Sequence, residues 1–175
     1  MKQFLAPLLA VASLSVLAGC GGGTASLLPC PQVAVLQQAQ TLASFLPGRS
    51  DVAAQITTAQ ITGVAGSCTL EKQQHLLEVK FQAGFLASKG PASNGAPLTL
   101  PYFVAITEGD NVIAKTDYTI ALAFDGNAST AQAVSKPIRI KLSSDRDSSD
   151  VQILVGFELT PDQLNEAESH PLASP

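Results

Sequence analysis

"LEVKFQAGF", residues 77–85, sets Leu77, Val79, Phe81, Ala83 and Phe85 in alternation with Glu78, Lys80, Gln82 and Gly84. Side chains of a strand point to opposite faces at every step, so this two-residue period predicts a strand with one face buried and one wet. The same period returns at Tyr118, Ile120, Leu122 and Phe124, at Ile138, Ile140 and Leu142, and at Val151, Ile153, Val155 and Phe157. Further apolar strands are expected over about 52–64 and 101–107. Between these runs stand "SKGPASNGAP", "EGDN", "FDGNAST" and "SSDRDSSD", rich in the residues that build turns.

Some seven short strands at this spacing predict an all-β fold, an antiparallel β-sandwich that is immunoglobulin-like in broad architecture. Two segments fall outside the pattern. "TPDQLNEA", residues 160–167, offers Thr160 as an N-cap, Pro161 at the first helical position and Gln163 to close a capping box, which predicts a short C-terminal helix. From Gln32 to Leu46 the signals conflict, because Leu36, Ala39, Leu42, Ala43 and Leu46 keep a helical spacing while "VAVL" reads as a strand. A short strand near 33–36 followed by an irregular passage to Pro47 and Gly48 is the expectation. The domain accordingly spans 30–160, and residues 161–175 supply the helix and a mobile tail.

The search for chemistry returns little. Only two histidines are present, His75 at the start of the best strand and His170 in the tail, and neither belongs to a nucleophile elbow, a zincin motif or a phosphate loop. In the acidic run, Asp145, Asp147 and Ser149 imitate the first positions of a calcium loop. The sixth position is Asp150 where that loop needs glycine, and the twelfth is Gly156 where it needs glutamate. A charged hairpin turn is the better reading, and no metal or cofactor is expected. With no Trp, and with Tyr102 and Tyr118 inside strand patterns, no aromatic platform for sugars stands out. Catalytic residues are therefore assigned to none of the chain, and an enzyme is not expected.

The N-terminus carries an address. Lys2 precedes an apolar run from Phe4 to Leu17, and small residues follow at Ala18 and Gly19, the three parts of an export signal. Leu17, Ala18, Gly19 and Cys20 resemble the lipobox of bacterial lipoproteins. That resemblance implies removal of residues 1–19 and lipidation of Cys20 with a diacylglyceryl thioether and an N-acyl chain such as palmitate. Two or more acyl chains make attachment stable, so the chain's first partner is a membrane, held through its lipid anchor. Gly21 follows the modified cysteine where enteric lipoproteins retained on the inner membrane have aspartate. The resemblance thus implies the cell envelope, at the outer membrane and facing the periplasm. Residues 20–29 read as the lipidated cysteine and a flexible glycine-rich tether, able to span roughly 30 Å when extended.

Exported chains meet an oxidising compartment, and Cys30 and Cys68 are the two cysteines left once Cys20 is lipidated. A disulfide between them is expected, with two buried thiols or a metal pair as alternatives. After removal of the signal, nine basic side chains stand against fourteen acidic ones, and no basic cluster suits nucleic acid.

"CPQVAVLQQAQTLASFLPG", "AQITGVAGSC", "LPYFVAITEGDNVIAKTDY" and "ILVGFELTPDQL" are similar to segments of uncharacterised proteobacterial envelope lipoproteins of about this length. The likeness implies a shared type of envelope domain and brings no activity or site residues with it. The functional expectation is a non-catalytic interaction or structural domain that contacts another envelope protein or polymer through strand edges or loops. The alternative is a carrier or chaperone of an apolar ligand, which needs a cavity lined by side chains such as Phe81, Phe85, Phe103 and Phe124.

Overall fold

A computed structural model of the protein describes residues 30–71, 73, 75–144 and 150–169. The expected signal segment 1–19, the expected lipidation site Cys20 with its expected tether, positions 145–149 and the expected tail from His170 lie outside the described residues.

Among the described residues nine strands and one α-helix follow in order: β1 (Gln32–Val35), β2 (Thr41–Phe45), β3 (Gln55–Glu71), β4 (Leu76–Lys89), β5 (Leu98–Glu108), β6 (Asn111–Leu122), β7 (Thr130–Val134), β8 (Ile138–Ser143), β9 (Val151–Phe157) and α1 (Pro161–Ser169). They form the expected all-β sandwich with its short C-terminal helix. One sheet has the order β1-β9-β5-β6, and the other runs β2-β3-β4 with β7 and β8 sharing the far side of β4. Pairing is antiparallel except between β1 and β9, which run parallel.

β4 is the strand read at 77–85, extended at both ends, and its inward set Leu77, Val79, Phe81, Ala83 and Phe85 is buried throughout. β5 and β9 answer with Leu100, Tyr102, Val104, Ile153, Val155 and Phe157 from the facing sheet. At the centre the Phe85 ring lies 5.0 Å from Tyr102 and 5.9 Å from Phe157, in the tilted geometry that aromatic quadrupoles favour. Because both sheets contribute alternate residues, the core is a single interleaved layer.

Two expectations need correction. The passage after β1 is not irregular: a single 3-10 turn at Gln37–Ala39 leads into β2, which pairs with β3. The strand expected from 52 begins later, after a 3-10 turn at Val52–Ala54, and continues to Glu71.

Cys30 and Cys68 form a disulfide with their Cα atoms 6.2 Å apart, a spacing that suits the bond. Cys30 lies two residues before the start of β1, and Cys68 lies on β3 with its side chain against the core. The bond therefore ties one sheet to the other at the start of the domain. At the other end, Thr160 N–H donates to Gln163 Oε1 at 3.0 Å and Gln163 N–H donates to Thr160 Oγ1 at 3.3 Å. This reciprocal capping box starts α1, which packs on β2.

Candidate functional site

β6 begins at a two-residue turn, Gly109–Asp110, where Gly109 takes φ +56° as the first position of such a turn favours. The strand then runs twelve residues and among the described residues pairs only with β5, so it stands at the edge of its sheet over its whole length. β1, β2, β7 and β8, the other strands that end the sheets, have between four and six residues each, and β3 beyond Gln60, where its pairing with β2 stops, has only β4 beside it.

Only half of β6 is anchored by apolar burial. Ile120 and Leu122 are buried and Tyr118 partly so, whereas every residue from Asn111 to Asp117 is exposed, on both faces. Val112 is 64 % exposed and Ile113 43 %. A bulge lies here: Ile106 pairs with Ala114 and Thr107 with Val112, leaving Ile113 as the extra residue. On the outer face Lys115 crosses the Phe103 ring, 4.9 Å from its centroid, and its ammonium meets Glu158 at 2.5 Å and Asp117 at 3.3 Å. Glu158 raises the Lys115 pKa above its ordinary value, which favours the charged ammonium. Charges and a bulge are the usual guards of an exposed edge, and here they protect the hairpin end of β6 and leave Thr116 to Leu122 regular.

Across the open side of the sandwich lies the β7–β8 edge, and it is interrupted. Between the pairs Gly84–Val134 and Phe81–Ile138, three residues of the edge, 135–137, stand opposite two of β4. Ser135 turns inward and is buried. Its N–H donates to the Ala83 carbonyl at 2.9 Å, its Oγ accepts from Ala83 N–H at 3.0 Å, and its carbonyl accepts from Gln82 Nε2 at 2.8 Å. The side chain thus replaces the ladder bond that the bulge removes. Pro137 has no N–H to offer. Of the two edges on this side, β6 is the one with a regular outward row of backbone donors and acceptors, from Thr116 to Leu122.

Between the two edges runs a groove of about 740 Å³. Tyr102 and Tyr118 form its aromatic wall, stacked with centroids 5.4 Å apart and planes at 22°. Ile120, Pro137 and Ile138 add apolar surface, and Lys136 and Arg139 lie along the rim. Burial raises the Tyr102 phenol above its ordinary value, with the Ser135 hydroxyl acting in the opposite sense. Lys141, on the outer face of the same edge, sits 3.8 Å from Glu71 and 3.9 Å from Glu78. Lys136 and Arg139 meet no carboxylate among the described residues.

The residues singled out from sequence are distributed as follows. Cys30 and Cys68 come together; Cys20, His170 and the loop positions Asp145, Asp147 and Ser149 lie outside the described residues. His75 is exposed at φ +51° in the turn before β4. The four phenylalanines named for a carrier cavity are divided: Phe81 and Phe85 fill the core, Phe103 lies under Lys115, and Phe124 follows β6 at the margin under Lys89. Tyr102 packs in the core as expected, while Tyr118 divides its ring between core and groove. Sequence reasoning missed Val112, Ile113 and Ser135; the adjacent apolar pair directly after the "EGDN" turn was the available signal.

No protein-family model, no curated protein and no solved structure matches this chain.

Proposed function

We propose that the chain is a lipid-anchored protein of the bacterial cell envelope whose β-sandwich is a non-catalytic interaction domain, with β6 as its contact edge. The single observation that carries this reading is the twelve-residue edge strand, exposed on both faces from 111 to 117 and regular from 116 onward. An unpaired row of N–H and C=O groups is a template for a strand from another chain, and alternate side chains of that strand would enter the adjoining groove. The lipobox at residues 17–20 supports permanent attachment at the outer membrane facing the periplasm, with the tether giving the domain its reach. The carrier alternative has less support, because its four phenylalanines belong to different surroundings.

The test places a photo-crosslinking residue at Thr116 of the full-length protein in intact envelopes, and for comparison at Lys80, exposed on β4 between β3 and β8. A discrete adduct is expected from Thr116 and not from Lys80. The same adducts from both positions, or none from either, would overturn the proposal. Attachment is read separately: Cys20→Ser should abolish incorporation of labelled palmitate, and retained label refutes Cys20 as the anchor.

A further inference from the structure

Resting on the reading of β6 as the contact edge, we infer that its occupant is β6 of a second copy of this chain, laid antiparallel about a two-fold axis through Thr116. Strand addition about an axis normal to the sheet turns the same face of each copy the same way. Residues directly opposite each other then lie on one face, so the axis passes through a residue and not between two. The side chains decide which residue. An axis through Lys115 sets Lys115 against itself, and one through Asp117 sets Asp117 against itself; like charges directly opposite are destabilising. An axis through Tyr118 puts Lys115 opposite Ala121 and Asp117 opposite Thr119, and neither charge is matched. Through Thr116, Lys115 of each copy meets Asp117 of the other, Thr116 meets Thr116, and the small Ala114 meets Tyr118. Opposite charges and Thr–Thr pairs are favoured across antiparallel strands, and symmetry makes the charge pair occur twice.

The structure leaves these groups available. Ala114 to Asp117 are exposed, the Asp117 side chain is 71 % exposed, and the register with β5 runs unbroken from Ala114 onward. The opposed positions 114–118 therefore begin just past the bulge. They bring the exposed Val112 and Ile113 of each copy beside Thr119 and Ile120 of the other, which gives that apolar pair a cover. A lone edge charge repels a second copy, whereas a Lys and an Asp two residues apart on one face guard the edge against other strands and match it to itself. The net charge of -4 per chain is spread over the molecule and screened beyond about 8 Å at physiological salt, so the pairs at the junction outweigh it. An axis normal to the sheets also lets both proposed lipid anchors reach one membrane, lying parallel to the sheets, from equal heights.

The test oxidises cysteine variants of the full-length protein in intact envelopes and reads disulfide-linked dimers on a non-reducing gel. Thr116→Cys places the two new sulfurs on the axis, where opposed Cβ atoms lie about 5 Å apart and can bond with little adjustment. A dimer is expected there. Thr119→Cys, on the same edge, should give little, because its counterpart lies about 20 Å away along the strand. In the Thr116→Cys background, Lys115→Asp or Asp117→Lys should each cut the dimer about tenfold, and the two together should restore it because the opposed charges match again. The ion pair of Lys115 with Glu158 within one copy predicts no such recovery, since the exchange destroys it. All these positions are exposed, so folding is little affected, and circular dichroism of the purified variants checks it. Equal dimer from Thr116→Cys and Thr119→Cys, or no recovery on the double exchange, overturns the inference. No bond at 116, together with a photo-adduct from Thr116 to a different protein, overturns the second copy and keeps β6 as the contact edge. Neither bond nor adduct overturns both.

Discussion

Replacing Cys30 by Ser opens the bond that joins the two sheets, and the size of the effect follows from the chain. The bond closes a loop of 38 positions, which by the chain-entropy argument restrains the unfolded state by about 3.9 kcal/mol at 25 °C. Cys30 is exposed, so serine there adds no burial cost. Cys68 is partly buried against the core, and Cys68→Ser should lose about 1 kcal/mol more for placing a hydroxyl in apolar surroundings. Single domains are stable by only about 5–15 kcal/mol, so either change removes a large share of the total. For a domain of this size the corresponding fall in melting temperature is about 10 °C. Urea unfolding followed by circular dichroism measures it, with the wild type run oxidised and reduced. Reduced wild type should match Cys30→Ser, and the double variant should be no less stable than Cys68→Ser, because the two residues act as one bond. A reduced wild type within about 1 kcal/mol of the oxidised protein would refute the entropic argument. Two free thiols in protein purified without reductant would refute the bond itself.

Ser135→Ala leaves the Ala83 N–H without its acceptor inside the sandwich, and a loss of about 1–3 kcal/mol is expected in the urea midpoint; a change under about 0.5 kcal/mol would mean that the bulge does not depend on this side chain. Tyr102 is 3 % exposed and its phenol is raised by burial, so the folded state resists ionisation more than the unfolded state does. Its contribution is therefore intact below the ordinary phenol value of 10.0 and is lost as pH rises beyond it. Tyr102→Phe should be less sensitive than wild type when urea midpoints at pH about 8 and about 11 are compared, and equal sensitivity counts against a buried phenol. Thr160→Ala removes the Oγ1 acceptor of the Gln163 N–H in the capping box at α1, costing about 1 kcal/mol locally, which should appear as faster exchange at Leu164 N–H with β4 amides unchanged.

Legibility varied with how much each strand buries. β4 and β9 could be read directly because each carries a long run of large apolar residues at alternate positions. β7, "TAQAV", turns only Ala131 and Ala133 inward, and two methyl groups make no visible period; it is a strand because β4 supplies its ladder partners. β2 was hidden for the opposite reason. Leu36, Ala39, Leu42 and Leu46 keep a helical spacing, yet pairing with β3 wins, and the chain spends only one 3-10 turn before extending. The first half of β6 shows no alternation because neither face is covered there. The proposed contact edge was thus least legible in its first half, since an exposed strand has no burial pattern to announce it.

By itself the sequence determined the all-β class, the inward face of the central strands and the capping box of α1. Those features are local, set by side-chain period and by hydrogen bonds within one turn. Only the tertiary structure decided which strands share a sheet, that β1 runs parallel to β9, that Ser135 repairs an interrupted edge and that β6 is left without a second neighbour. The physical reason is that strand pairing is a contact between distant segments. A strand's period states which face is buried, but its backbone groups carry no mark of the partner, so an edge exists only once every other strand has found its place.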